Sequence, residues 1–118
     1  AGAPEIRPRL ALIDPNSRKL ITSAWLPEGY GPLSWHGSYS LRVGPDGSVY
    51  GATDYCIFRI VPGTCDVERI WQMDKPEPRS GAWRSSLSPN SIDIVGPIVN
   101  NEFTFATGWR LRSISLPE

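Results

Sequence analysis

The sequence holds one histidine, two cysteines and two lysines, and it has no long apolar run. These shortages exclude several classes of chemistry. A lone His36 cannot form a zinc-binding histidine pair, and two cysteines outside a CxxC pattern cannot build a tetrahedral metal site. No Gly-x-Ser-x-Gly elbow or P-loop occurs, and "GPDG" at 44–47 is a turn sequence, not a phosphate cradle. Neither sign of charge is in excess, at 12 Lys+Arg against 12 Asp+Glu, and no block of like charge exists. Nucleic acid and an anionic membrane surface are therefore not expected partners. The longest stretch without proline, 98–116, contains Gly108 and Arg110, so it is no membrane span. Nothing calls for a cofactor.

What the chain does have is proline and glycine, 12 and 11 of 118 residues, against about 12% for the two together in an average chain. Long helices are thereby nearly excluded. With 40% apolar residues and 10% aromatics, the length suits one compact domain with a real core. Beta-branched and aromatic runs recur between turn signals at 9–13, 20–25, 39–43, 48–52, 56–61, 67–72, 91–95, 102–107 and 109–115. These nine runs predict short strands. The connectors carry turn chemistry: "DPNS" at 14–17 fits a type I turn, "PDG" at 45–47 supplies a glycine for positive φ, and Pro62-Gly63 suits type II. Asp14 and Asp46 are expected to bond their own backbone there. The polar, proline-rich 74–89 stretch predicts a loop.

Cys56 and Cys65 bracket "CIFRIVPGTC". With Pro62 and Gly63 at the centre of a hairpin turn, Cys65 lies opposite about Ile60 and Cys56 is beyond disulfide reach, so two unpaired thiols are expected. No secretory leader is visible. "AGA" at the start fits a processing or a cloning remnant, and the expected location leans extracellular.

The chain also resembles itself. "ALIDPNSRKLI" at 11–21 lays over "FRIVPGTCDVE" at 58–68 with an offset of 47, matching Ile13 with Ile60, Pro15 with Pro62 and Leu20 with Val67. "VYGATDYCIFRI" at 49–60 lays over "FTFATGWRLRSI" at 103–114 with an offset of 54, matching Ala52-Thr53 with Ala106-Thr107 and Ile57 with Leu111. A period of roughly 50 residues with four strands in each is that of a propeller blade.

At "SLRVGPDGSVYGATDYCIFRIVPGTCDVERIWQM", 40–73, the sequence resembles one blade of the NHL, gluconolactonase and virginiamycin B lyase type of β-propeller. "IDPNSRKLITSAWLPE" and "NNEFTFATGWRLRSISLPE" resemble parts of two further blades. The resemblance implies an all-β domain over 1–118, with antiparallel four-stranded meander blades at about 1–37, 38–75 and 90–118; a small β-sandwich is the alternative. Closed propellers need about four blades or more, whereas this length supplies about two and a half. Self-association, or the remainder of a larger propeller, is thus the expected partner.

The propeller rule that ligands bind where loops converge at one end of the channel points to Trp35, His36, Thr53, Asp54, Tyr55, Thr107 and Trp109. Trp35, Tyr55 and Trp109 suit stacking on sugar rings, and Asp54 and Arg110 suit hydroxyls or a uronate. The bland alternative packs these aromatics between blades. The expected function is a binding or assembly module, with carbohydrate or protein as ligand on an aromatic loop face formed by Trp35, His36, Asp54, Tyr55, Trp109 and Arg110. A first rival is a share in a lyase-like or lactonase-like propeller enzyme, in which His36 is the weak catalytic candidate and Asp54 and Tyr55 contribute. A second rival is a structural, self-assembling subunit.

Overall fold

Short apolar runs separated by proline, glycine and aspartate fold here as antiparallel hairpins. The computed structural model describes residues 8–32, 41–76, 91–108 and 110–117. Within them the chain is all-β: β1 (Arg9–Ile13), β2 (Leu20–Trp25), β3 (Arg42–Val43), β4 (Val49–Ala52), β5 (Cys56–Ile60), β6 (Val67–Gln72), β7 (Ile92–Val99), β8 (Glu102–Thr107) and β9 (Arg110–Ser115). They form three sheets in chain order, β1-β2, β3-β4-β5-β6 and β7-β8-β9, each an antiparallel meander. Residues 77–89 of the predicted 74–89 loop lie outside the described residues.

The turns follow from their residues. Asp46 Oδ1 accepts from the Ser48 amide at 3.0 Å, and the Gly47 amide donates to the Gly44 carbonyl at 3.0 Å, with Gly47 at φ 87°. The Ser48 amide and hydroxyl hold the Asp46 carboxyl below its ordinary pKa. Asp14 is lowered likewise, chiefly by the Asn16 amide that donates to it at 2.9 Å. At Pro62-Gly63 the Thr64 amide donates to Val61 O at 3.1 Å and Gly63 sits at φ 76°, the type II geometry. The pairing beyond that turn differs from expectation. The Val61 amide bonds Asp66 O and Ile60 faces Val67, so Cys65 falls in the loop rather than opposite Ile60.

The middle sheet is apolar on both faces. Tyr50, Ala52 and Ile57 pack on one side against Phe103, Phe105 and Ile92 of the β7–β9 sheet, with Trp71 at 4.9 Å and Tyr50 at 6.5 Å from the Phe105 and Phe103 rings, respectively. On the other side Cys56 and Phe58 pack with Leu26, Tyr30 and Leu10, which belong to or follow β1-β2. Gly51 makes this second layer possible: a Cβ there would lie 2.5 Å from Phe58 Cζ of the paired strand. At the equivalent pair of the third sheet the bulk is exchanged, Phe105 facing Arg112.

β7 runs on through Gly96 and Pro97, where the sequence reading stops at Val95. The extension is accommodated by register shifts between Val95 and Ile98, and a bulge is where a sheet tolerates a residue without an N–H. The displaced carbonyls are recovered by side chains. Arg42 of β3 donates to Val95 O at 2.9 Å and Gly96 O at 3.2 Å, and Thr104 Oγ1 donates to Pro97 O at 2.8 Å. Arg42 thereby ties the first strand of the middle sheet to the first strand of the third.

Because Phe103 is wholly buried between two sheets, Phe103→Ala should lower the unfolding free energy by about 3–5 kcal/mol in urea titration. A loss below about 1 kcal/mol would mean that the two sheets do not share one core.

Candidate functional site

The turn between β4 and β5, residues 53–55, is where the structure gathers its polar contacts. Thr53 Oγ1 accepts from the amides of Tyr55 and Cys56, each at 3.1 Å, and its hydroxyl donates to Tyr30 O. The Asp54 amide donates to Pro32 O at 2.9 Å, the Ile92 amide to Asp54 O at 2.7 Å, and the Met73 amide to Tyr55 O at 2.7 Å. Three separate segments are thus fastened to one turn: the stretch after β2, the end of β6 and the start of β7. Backbone groups at such a junction have no water to bond, so their pairing is obligatory.

This arrangement bears directly on the expected site residues. Asp54 is 3% exposed and Tyr55 8% exposed, with the Tyr55 ring in the core and its Cδ2 2.5 Å from where a Cβ on Gly31 would stand. Gly31 holds φ 98°, so this close approach needs glycine twice over. Thr53 and Thr107 are buried as well; Thr107 Oγ1 accepts from Arg112 Nε at 2.9 Å. Arg110 is exposed at the start of β9. The structure therefore brings Asp54, Tyr55 and Thr53 together as an internal fastening. Trp35, His36 and Trp109 lie outside the described residues. Between described residues, Arg59 and Glu68 form an ion pair at 3.5 Å.

Both cysteines are free and buried. Cys56 Sγ lies 3.2 Å from Tyr30 O and 3.4 Å from Thr53 Oγ1, and burial pushes its thiol above the ordinary value of 9.0. Burial also raises the Tyr30 hydroxyl, partly offset by the Arg69 guanidinium 4.6 Å from its ring centre. An attacking thiolate is the opposite of what this surrounding favours. Among the described residues no group of three or more His, Cys, Asp or Glu could hold a metal ion.

Two features escape a residue-by-residue reading of the sequence. One is a mostly apolar cavity of about 250 Å³ between β1 and the middle sheet, lined by Leu10, Leu12, Leu41, Val49 and Ile60, with Cys65 at its wall. The other is the pair of outward sheet faces. Leu111 and Val99 stand exposed on the third sheet, at 79% and 52%, and Ile13, Leu20, Ile21 and Trp25 on the first. For three of them the signal was present in the offsets: Leu111 matches Ile57 at 54, and Ile13 and Leu20 match Ile60 and Val67 at 47, all packed residues of the middle sheet.

Compared with known proteins, the chain matches no family model, no curated protein and no solved structure.

The raised Cys56 pKa has a definite sign. A thiol harder to ionise when folded stabilises the fold fully below the unfolded pKa, and that contribution is lost as pH rises through the folded value. Unfolding free energy should therefore fall from about pH 9 upward, and Cys56→Ala should flatten that fall between about pH 8 and about pH 10. Equal slopes for the two proteins in urea titrations would show that Cys56 ionises as freely folded as unfolded.

Proposed function

We propose that the chain is a propeller-type binding or assembly module that acts through its outward sheet faces. The observation that carries this reading is the recurrence of one pairing pattern across successive sheets. At the offset of 54, Val49↔Ile60, Tyr50↔Arg59, Gly51↔Phe58 and Ala52↔Ile57 become Phe103↔Ile114, Thr104↔Ser113, Phe105↔Arg112 and Ala106↔Leu111, each a pair in β8-β9. At the offset of 47, Arg9↔Trp25, Leu10↔Ala24 and Ile13↔Leu20 become Cys56↔Gln72, Ile57↔Trp71 and Ile60↔Val67. The closing bond is shared too: Asp14 N to Lys19 O and Val61 N to Asp66 O, both 2.9 Å. In blade terms, β1-β2 are the third and fourth strands of one blade, β3–β6 a whole blade, and β7–β9 the first three strands of the next.

Such a stack supports assembly for a physical reason. Repeated layers bury their apolar faces only against neighbours, so the first and last layers each keep one face to offer. Exposed apolar side chains on both outer sheets fit that role. A carbohydrate ligand on the aromatic loop face, or an enzyme site using His36, Asp54 and Tyr55, draws less support, since Asp54 and Tyr55 serve the interior.

Light scattering over a micromolar to millimolar range tests the reading. The expected outcome is a mean mass that exceeds one chain and rises with concentration. A chain that stays monomeric throughout that range would overturn assembly through its own open faces.

A further inference from the structure

We propose that the outer face of the β7–β9 sheet of one copy binds the outer face of the β1-β2 sheet of a second copy, head to tail. The inference rests on the assembly reading above and adds the partner, the two faces and the sense of the contact.

The two faces of the middle sheet are different surfaces, and each has its counterpart on an outer sheet. Tyr50, Ala52 and Ile57 form the face that packs on the β7–β9 sheet. At the offset of 54 these positions are Thr104, Ala106 and Leu111, which lie on the side of β8-β9 away from Phe103 and Phe105. The third sheet therefore presents outward the same kind of face that the middle sheet uses inward. Cys56, Phe58, Ile60 and Val67 form the opposite face of the middle sheet, toward β1-β2. At the offset of 47 they are Arg9, Ala11, Ile13 and Leu20, on the side of β1-β2 away from the inward-packed Leu10.

Among the described residues, the forward face of the third sheet and the rear face of the first have no layer over them. A second copy supplies each with the partner type already seen twice inside the chain, so the contact continues an existing interface. Exposure and charge agree. Leu111 on the forward face and Trp25 and Leu20 on the rear face are large and more than half exposed. The rear face carries Arg9, stacked 5.2 Å from the Trp25 ring centre, and the forward face carries Glu102. A head-to-tail contact therefore joins a face that carries a cation to one that carries an anion. Contacts between unlike faces close into rings of two or more copies or run on as filaments.

The test uses two variants, Leu111→Asp on the forward face and Ile13→Asp on the rear face. Both positions are exposed, so each variant should keep the far-ultraviolet circular dichroism of the parent chain. Each alone should dissociate at least about tenfold more readily than the parent, because every head-to-tail contact then contains a damaged face. Mixed in equal amounts, the two should form a one-to-one complex of near-parental affinity that grows no further, since one intact forward face and one intact rear face remain. Native mass spectrometry distinguishes that mixed dimer from pairs of like chains. If the parent chain associates but either variant alone associates equally well, or the mixture gives no mixed dimer, the head-to-tail contact is overturned while assembly stands. A monomeric parent chain overturns both.

Discussion

A sheet that is apolar on both faces is stable only as an inner layer, and the middle sheet of this protein is such a sheet. Tyr50 and Trp71 interlock with Phe103 and Phe105 on one side, and Phe58 packs with Tyr30 on the other, at 6.1 Å between ring centres. Everything else in the described structure is arranged around that double burial. The hydrophobic gain per layer is proportional to area removed from water, so leaving either side of β3–β6 bare would expose several of the largest side chains in the chain. The outer sheets cover it and in doing so acquire free faces of their own.

The second dependence is on the turn at 53–55. Layers that meet through side chains alone can slide; backbone bonds from Asp54 to Pro32 and Ile92, and from Tyr55 to Met73, remove that freedom. Arg42 does the same at the bulge of β7, replacing lost ladder bonds with guanidinium donors of fixed geometry. Polar residues in such places look functional from composition, because carboxylates, hydroxyls and tyrosines also make ligand sites. In this structure Thr53, Asp54 and Tyr55 are buried at the junction. The Thr53 hydroxyl is engaged by neighbouring backbone, and burial in the same surroundings makes the Cys56 thiol harder to ionise.

Strand positions and turns were legible in the chain because each rests on a local rule. Alternating β-branched residues need only their own neighbours to be extended, and Pro62-Gly63 or Asp46-Gly47 need only their own φ preferences. Legibility failed where a distant group intervened. β7 continues through Gly96 and Pro97 because Arg42, more than fifty residues away, takes up the carbonyls. The turn between β5 and β6 carries more residues than Pro62 and Gly63 alone define, so Cys65 left the ladder. The candidate site was only partly legible for the same reason: "TDY" at 53–55 announces a turn with polar side chains, but not that three other segments converge on it.

By itself, then, the sequence determined the all-β class, the nine extended runs among the described residues, the turn chemistry, and a periodicity that survives as matched strand pairs. Period and propensity are properties of neighbours along the chain, and they need no knowledge of what packs on what. The tertiary structure alone decided which side of each strand became interior. Ile57 is wholly buried while Leu111, which matches it at the offset of 54, is 79% exposed. The difference is the presence of a following layer over one and not over the other, and burial is set by neighbours in space.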